Sequence, residues 1–128
     1  MKLLLDTHTL IWHAVNDPRL SVNARSVILD AANAVFVSPA TYWEMTIKIS
    51  IGKLTLQQPF EEFLDACEQR FALLPIVAAH TVQVAMLPFP PNHRDQFDRM
   101  IIAQAIVEQM TVVSGDSAFD GYGVPRIW

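Results

Sequence analysis

The sequence has little cysteine, little charge and no long apolar run. A single cysteine, Cys67, permits neither an internal disulfide nor a thiolate metal site. It lies with Phe60, Phe63, Leu64 and Phe71 on the apolar side of the segment 59–71, which is a packing environment rather than that of a reactive thiol. Charged residues make up only 17% of the chain and the balance is acidic, a net −4, so binding of nucleic acid through a generally basic surface is excluded. Any such contact must rest on a local basic rim. The apolar stretch 72–79 is broken by Pro75, closed by His80, and falls far short of the roughly 20 residues of a membrane span. After Lys2 the apolar run stops at Leu5, too soon for a secretory h-region, and the expected location is cytoplasmic. There are no repeats, no low-complexity segments and no Gly-x-Ser-x-Gly elbow. His8, His13, His80 and His93 are not at zinc-ligand spacing.

What the chain does have is apolar side chains, 52% of its 128 residues. This length suits one domain, 1–128, with a single packed core, and the apolar excess suggests a surface buried against a partner, hence an oligomer. Leu3-Leu4-Leu5 reads as a buried strand, and Leu10, Ile11, Ala14 and Val15 then recur at helical spacing. Ser21 is a helix N-cap for a helix through Ala32, and Ala34-Val35-Phe36-Val37 a second strand. Ser38-Pro39 places a cap and a first-turn proline at the head of a helix reaching about Ser50. A helix follows Pro59. A short strand over Leu73–Ile76 is confined to a sheet edge by Pro75. Helices are predicted over Ala78–Leu87 and from Asp95 onward, then a strand at Thr111-Val112-Val113 and a last extended piece, Val124–Ile127. Strands alternating with helices predict a parallel sheet of four to five strands flanked by helices, with the functional crevice beyond the carboxyl ends of the strands.

Four acids stand out against this apolar pattern: Asp6 after the first strand, Glu44 between Trp43 and Met45, Asp98 at the head of an apolar helix, and Asp116 after the strand 111–113. Each has an ordinary explanation. Asp6 can cap the next helix, and Glu44 can pair with Lys48 four residues on. Asp98 can answer a helix dipole, and Asp116 can serve a turn after Gly115. Taken together, two lie at strand ends on one edge of a parallel sheet and two on helices joined to those strands. Clustered carboxylates need cations, and oxygen-only donors favour hard ions such as Mg²⁺ or Mn²⁺. Without metal, at least one carboxyl should have a raised pKa.

The runs Leu3–His8, Trp43–Lys48 with Gly52-Lys53-Leu54, Asn92–Ala105, Val113–Asp116 and Tyr122–Pro125 resemble, in order and spacing, the PIN-domain ribonucleases, in particular the VapC-type toxins of toxin–antitoxin pairs. The resemblance implies a three-layer PIN-like α/β fold. It also implies an endoribonuclease that binds one or two Mg²⁺ or Mn²⁺ ions through Asp6, Glu44, Asp98 and Asp116. Thr7 and Ser114 match small hydroxyl positions beside the metal site, and Asp95 fits a helix cap better than a ligand. Lys48, His93, Arg94 and Arg99 are candidates for phosphate contacts, whereas Lys53 reads as an ordinary surface charge. An RNA substrate, a VapB-type antitoxin and a homodimer are implied. Two other functions stay open: a non-catalytic RNA- or protein-binding module, and a metal-dependent nuclease acting on DNA.

Overall fold

The computed structural model describes all 128 residues, Met1–Trp128. Five short parallel strands form one sheet: β1 (Lys2–Leu5), β2 (Ala34–Val37), β3 (Ala72–Leu73), β4 (Thr111–Val113) and β5 (Arg126–Ile127), in the order β3-β2-β1-β4-β5. The chain therefore builds outward from β1 on one side and returns to its other side with β4. Six helices connect them: α1 (Thr7–Ala14), α2 (Val22–Leu29), α3 (Pro39–Ser50), α4 (Phe60–Arg70), α5 (Ala78–Met86) and α6 (Gln96–Glu108).

Strand side chains alternate between faces, and two cores result. Leu3, Leu5, Val37 and Val113 pack with Leu10, Ile28, Met45 and Phe63 on one face. Leu4 and Val112 pack with Ile101, Ile102, Ala105 and Phe119 on the other. The sheet is thus the middle of three layers, as predicted. Leu3, Leu4 and Leu5 are wholly buried, each contributing roughly 1.5–3 kcal/mol relative to exposure. No helix is long and apolar enough to cross a membrane.

Local chemistry explains the boundaries. The Ser21 and Ser38 side chains accept from the backbone N–H of Ala24 and Ala40, and Asp95 accepts from Phe97 and Asp98. Helix α2 ends at Leu29, short of the predicted Ala32, because the Asp30 side chain takes the Ala32 N–H into a local turn at 2.9 Å. The edge strand β3 is two residues long rather than the predicted Leu73–Ile76. Leu74 donates to the Val37 carbonyl, and Pro75 has no N–H with which to continue the ladder.

Candidate functional site

β1 is the strand from which the chain departs in both directions, so the crevice opens at the carboxyl ends of β1 and β4. Their register pairs Leu5 with Val113, which brings the next residues, Asp6 and Ser114, side by side. The Ser114 hydroxyl donates to Asp6 Oδ2 at 2.5 Å and accepts from the Asp116 N–H at 3.0 Å. One buried hydroxyl thereby ties the Asp6 carboxylate to the backbone of Asp116, just past the ends of two neighbouring strands. Asp6 Oδ1 meanwhile accepts from the Thr9 N–H at 2.8 Å, capping α1. The ordinary reading of Asp6 as a cap holds, and its second oxygen serves the crevice.

Glu44 enters from α3. It is buried, accepts from the Thr7 hydroxyl at 2.5 Å, and pairs with Lys48 at 2.9 Å. The Thr7 hydroxyl also lies 3.4 Å from that of Thr41. Glu44 thus meets the site through Thr7, the neighbour of Asp6, and Lys48 is engaged with Glu44 rather than free.

Asp98 stands in the first turn of α6. One ligand atom each from His93, Asp98 and Asp116 lie within 4.8 Å of one another. His93 Nε2 is 3.0 Å from Asp98 Oδ2, and His93 Nδ1 is 2.6 Å from the Tyr122 hydroxyl. An ionised carboxylate only accepts, so Nε2 then carries the proton and Nδ1 accepts from Tyr122. Burial pushes the Asp98 carboxyl up to about 7, and the charges of Asp95 and Asp6 push the same way, against the opposing bond from His93. A raised carboxyl was expected of the cluster, and it is Asp98. Asp95 faces its own helix end as a cap.

The donor set fits a hard divalent cation. Asp98 and Asp116, with His93, place one ligand atom each within 4.8 Å of one another, Asp6 lines the adjoining cleft with Asp116, and no lysine or arginine is bonded to any of these three acids. Cation binding there would offset both the burial of the Asp98 charge, which is the main reason its carboxyl is raised, and the added repulsion from Asp95 and Asp6. Tyr122→Phe removes the bond that orients His93 and, through it, Asp98. Its Mn²⁺ affinity, measured by calorimetry, is expected to fall about tenfold with the fold intact, and unchanged affinity would show that Tyr122 does not act on Asp98.

The predicted basic residues need correction. Arg99 is not placed for phosphate: it is buried, donates to the Pro88 carbonyl at 2.6 Å and the Val84 carbonyl at 3.4 Å, and lies over the Phe89 ring. It ties the 88–95 loop to α6. His93 is likewise buried and committed to Asp98 and Tyr122, so it orients a carboxylate instead of meeting a phosphate. Arg94 is exposed and stacked on Phe89, in a groove that contains none of the four acids.

Sequence reasoning missed the rest of the crevice wall. A cleft of about 480 Å³ is lined by Asp6 and Asp116 together with His8, Trp12, Arg19, Gly115 and Trp128. His8 and Trp12 are four apart on the helix that starts directly after Asp6, a spacing that could have revealed them. Arg19 and Trp128 reach the cleft by long-range packing and carry no local signal.

The PIN domain family model matches residues 3–124. No curated protein matches the sequence. Among solved structures, the VapBC2 complex of Rickettsia felis bound to a DNA fragment from its promoter contains a similar chain, with TM-score 0.72, 18% identity, and 99% of this chain and 98% of that chain covered. VapBC-1 from nontypeable Haemophilus influenzae gives TM-score 0.68 at 17% identity, covering 99% and 97%. A toxin–antitoxin complex from Klebsiella pneumoniae gives 0.61 at 17% identity, covering 98% and 96%. At such identities the likeness is one of fold.

Proposed function

Because the chain belongs to the PIN-domain family, we propose that it is a Mg²⁺- or Mn²⁺-dependent endoribonuclease of the VapC type. The observation that carries this reading is the convergence at one sheet edge. Ser114 bonds Asp6 and the Asp116 backbone, while Asp98, one turn into α6 and raised chiefly by burial, has a carboxylate oxygen within 4.8 Å of one from Asp116. A divalent cation bound there would neutralise charge on the phosphoryl oxygens and make a bound water more acidic.

The protein's own groups do the positioning. Asp6, Asp98 and Asp116 would hold the cation, and Glu44 would add negative charge from beside Thr7. The Ser114 and Thr7 hydroxyls fix carboxylate orientation, so the donors need not reorganise when metal enters. His93 occupies Asp98 Oδ2 and leaves Oδ1 without a protein partner. Arg19 on the cleft is the cation proposed to meet the RNA backbone, whereas Lys48, a third exposed, stays paired with Glu44. Arg94 lies further along the surface, on the neighbouring groove.

A VapB-type antitoxin is the proposed partner, supported by the fold shared with VapBC complexes. A homodimer is supported by exposed apolar side chains, among them Val82, Met86 and Phe89. The test of the activity is direct. Purified protein incubated with total RNA is expected to cut it in Mg²⁺ or Mn²⁺, to stop in EDTA, and to resume when Mn²⁺ is returned. RNA left intact in both metals would favour the non-catalytic alternative, and DNA cut in its place would favour the DNA nuclease. Cleavage that persists in EDTA would remove the metal from the mechanism.

A further inference from the structure

We infer that Arg126, on the last strand, is a positioning residue for the cation site: its guanidinium pins both ends of the segment 114–120, which carries Asp116. This role rests on Asp116 being a donor to the cation, as proposed above.

Asp6 is buried and Asp98 half-buried, whereas Asp116 is exposed. The one bond of its side chain is local, with Oδ1 accepting from the Ala118 N–H at 2.9 Å. Oδ2 has no protein partner and is open to a cation. The direction of this carboxylate is therefore set by the backbone around it. A donor has to be held within about 0.5 Å of its place for a site to be ready before its ligand arrives. The backbone of this segment must itself be fixed.

Arg126 does this from β5. Its Nη1 donates to the Ser114 carbonyl at 3.0 Å, where the segment begins. Nε and Nη2 donate to Asp120 Oδ1 and Oδ2 at 2.8 and 2.9 Å, where it ends. One planar group thus joins the two ends, with Asp116 between them. The group is itself anchored, because Arg126 stands opposite Val112 in the sheet and the Ser114 N–H donates to the Ile127 carbonyl at 3.2 Å. Trp128 adds a second hold: a Cβ on Gly115 would lie 2.9 Å from Trp128 Cε2, so the indole rests directly on the residue before Asp116. No bond joins Arg126 to Asp116. The bonds and charge of Asp120 raise the guanidinium pKa, and the charge of Asp116 adds to them, which places Arg126 within electrostatic reach of that acid.

Stability alone does not account for this arrangement. Asp120 is 55% exposed, and ion pairs so open to water add little to stability. What the two-pronged contact supplies is direction, since a planar guanidinium meets both oxygens of a carboxylate in one orientation. Lysine carries the same charge without the fork. The Arg126 charge taken by itself would repel a cation near Asp116, so charge and fork act on metal binding in opposite senses. Substitutions can separate them.

The test is Mn²⁺ affinity of the whole chain by calorimetry, with a thermal melt of each protein. Arg126→Lys keeps the charge and loses the fork. It is expected to bind Mn²⁺ about tenfold more weakly while Tm stays within about 3 °C of the wild type. Asp120→Asn changes an exposed side chain on which the core does not depend, and is expected to weaken binding at least threefold. A role of charge alone requires Arg126→Lys to bind as the wild type does, and wild-type affinity in either folded variant would overturn the proposal. Hydrogen exchange of the metal-free protein reads the segment directly. The Asp116 amide, which donates to the Ser114 hydroxyl, is expected to exchange at least fivefold faster in both variants, while amides of β1 keep their rates. This holds even if the wild type binds no Mn²⁺ and the metal reading falls, and unchanged exchange at Asp116 would overturn the proposal by itself.

Discussion

Asp6→Asn is expected to lower metal-dependent RNA cleavage about a thousandfold and to leave the fold intact. Asn is as good an N-cap as Asp, so the bond from Thr9 survives and α1 keeps its start. The Ser114 hydroxyl can turn to accept from the new amide, so the neighbouring strand end is not disturbed. What disappears is one negative charge and one anionic oxygen at the mouth of the crevice. A factor of a thousand corresponds to about 4 kcal/mol of transition-state stabilisation, the size expected when one element of a preorganised electrostatic site is removed. The variant is checked by kcat/KM on an RNA 12-mer beside a thermal melt. Wild-type rates from a folded Asp6→Asn protein would exclude this crevice as the site of chemistry.

The metal-free protein should lose stability as pH rises from about 4 to 7, and Asp98→Asn should abolish most of that loss. An unfolded Asp titrates near 4, whereas in the folded chain burial, reinforced by Asp95 and Asp6, holds Asp98 up to about 7. Between those two values the folded state binds more protons than the unfolded state, so stability falls with rising pH and levels off above 7. The Asp98 side chain is 22% exposed and bonded to His93, which limits the effect to about 1–2 kcal/mol, or roughly 5 °C in Tm. At pH 7.5 without metal, Asp98→Asn is therefore expected to be more stable than the wild type, and with Mn²⁺ the order should reverse. Calorimetry at pH 6 in two buffers of different ionisation enthalpy should show proton release on Mn²⁺ binding to the wild type, and none from this position in Asp98→Asn. A pH-independent wild-type Tm between 4 and 7 would show that Asp98 is not strained by its neighbours.

Local chemistry made most of the fold legible. Leu3–Leu5, Ala34–Val37 and Thr111–Val113 are short apolar runs bounded by polar residues, and the caps at Ser21, Ser38 and Asp95 depend only on neighbours within three residues. The edge strand was harder to bound because it has two residues and is set by where Pro75 interrupts the ladder. The acids were legible because carboxylates at strand ends break an apolar pattern. Their neighbours were not, because nearness in sequence does not fix direction. Arg99 follows Asp98, but successive helical residues point about 100° apart, which turns its guanidinium to the carbonyls of Pro88 and Val84. His93 finds Tyr122 at a separation of 29 residues, a contact no local rule supplies. The Trp12–Trp128 contact likewise joins residues near opposite ends of the chain.

The most direct measurement is anomalous diffraction from crystals equilibrated with Mn²⁺ at a concentration that supports cleavage. A manganese peak is expected at the ends of β1 and β4, within bonding distance of carboxylate oxygens from Asp6, Asp98 and Asp116. A crevice without a peak, in crystals of protein that cleaves RNA at that Mn²⁺ concentration, would contradict the assignment of these acids as the metal centre.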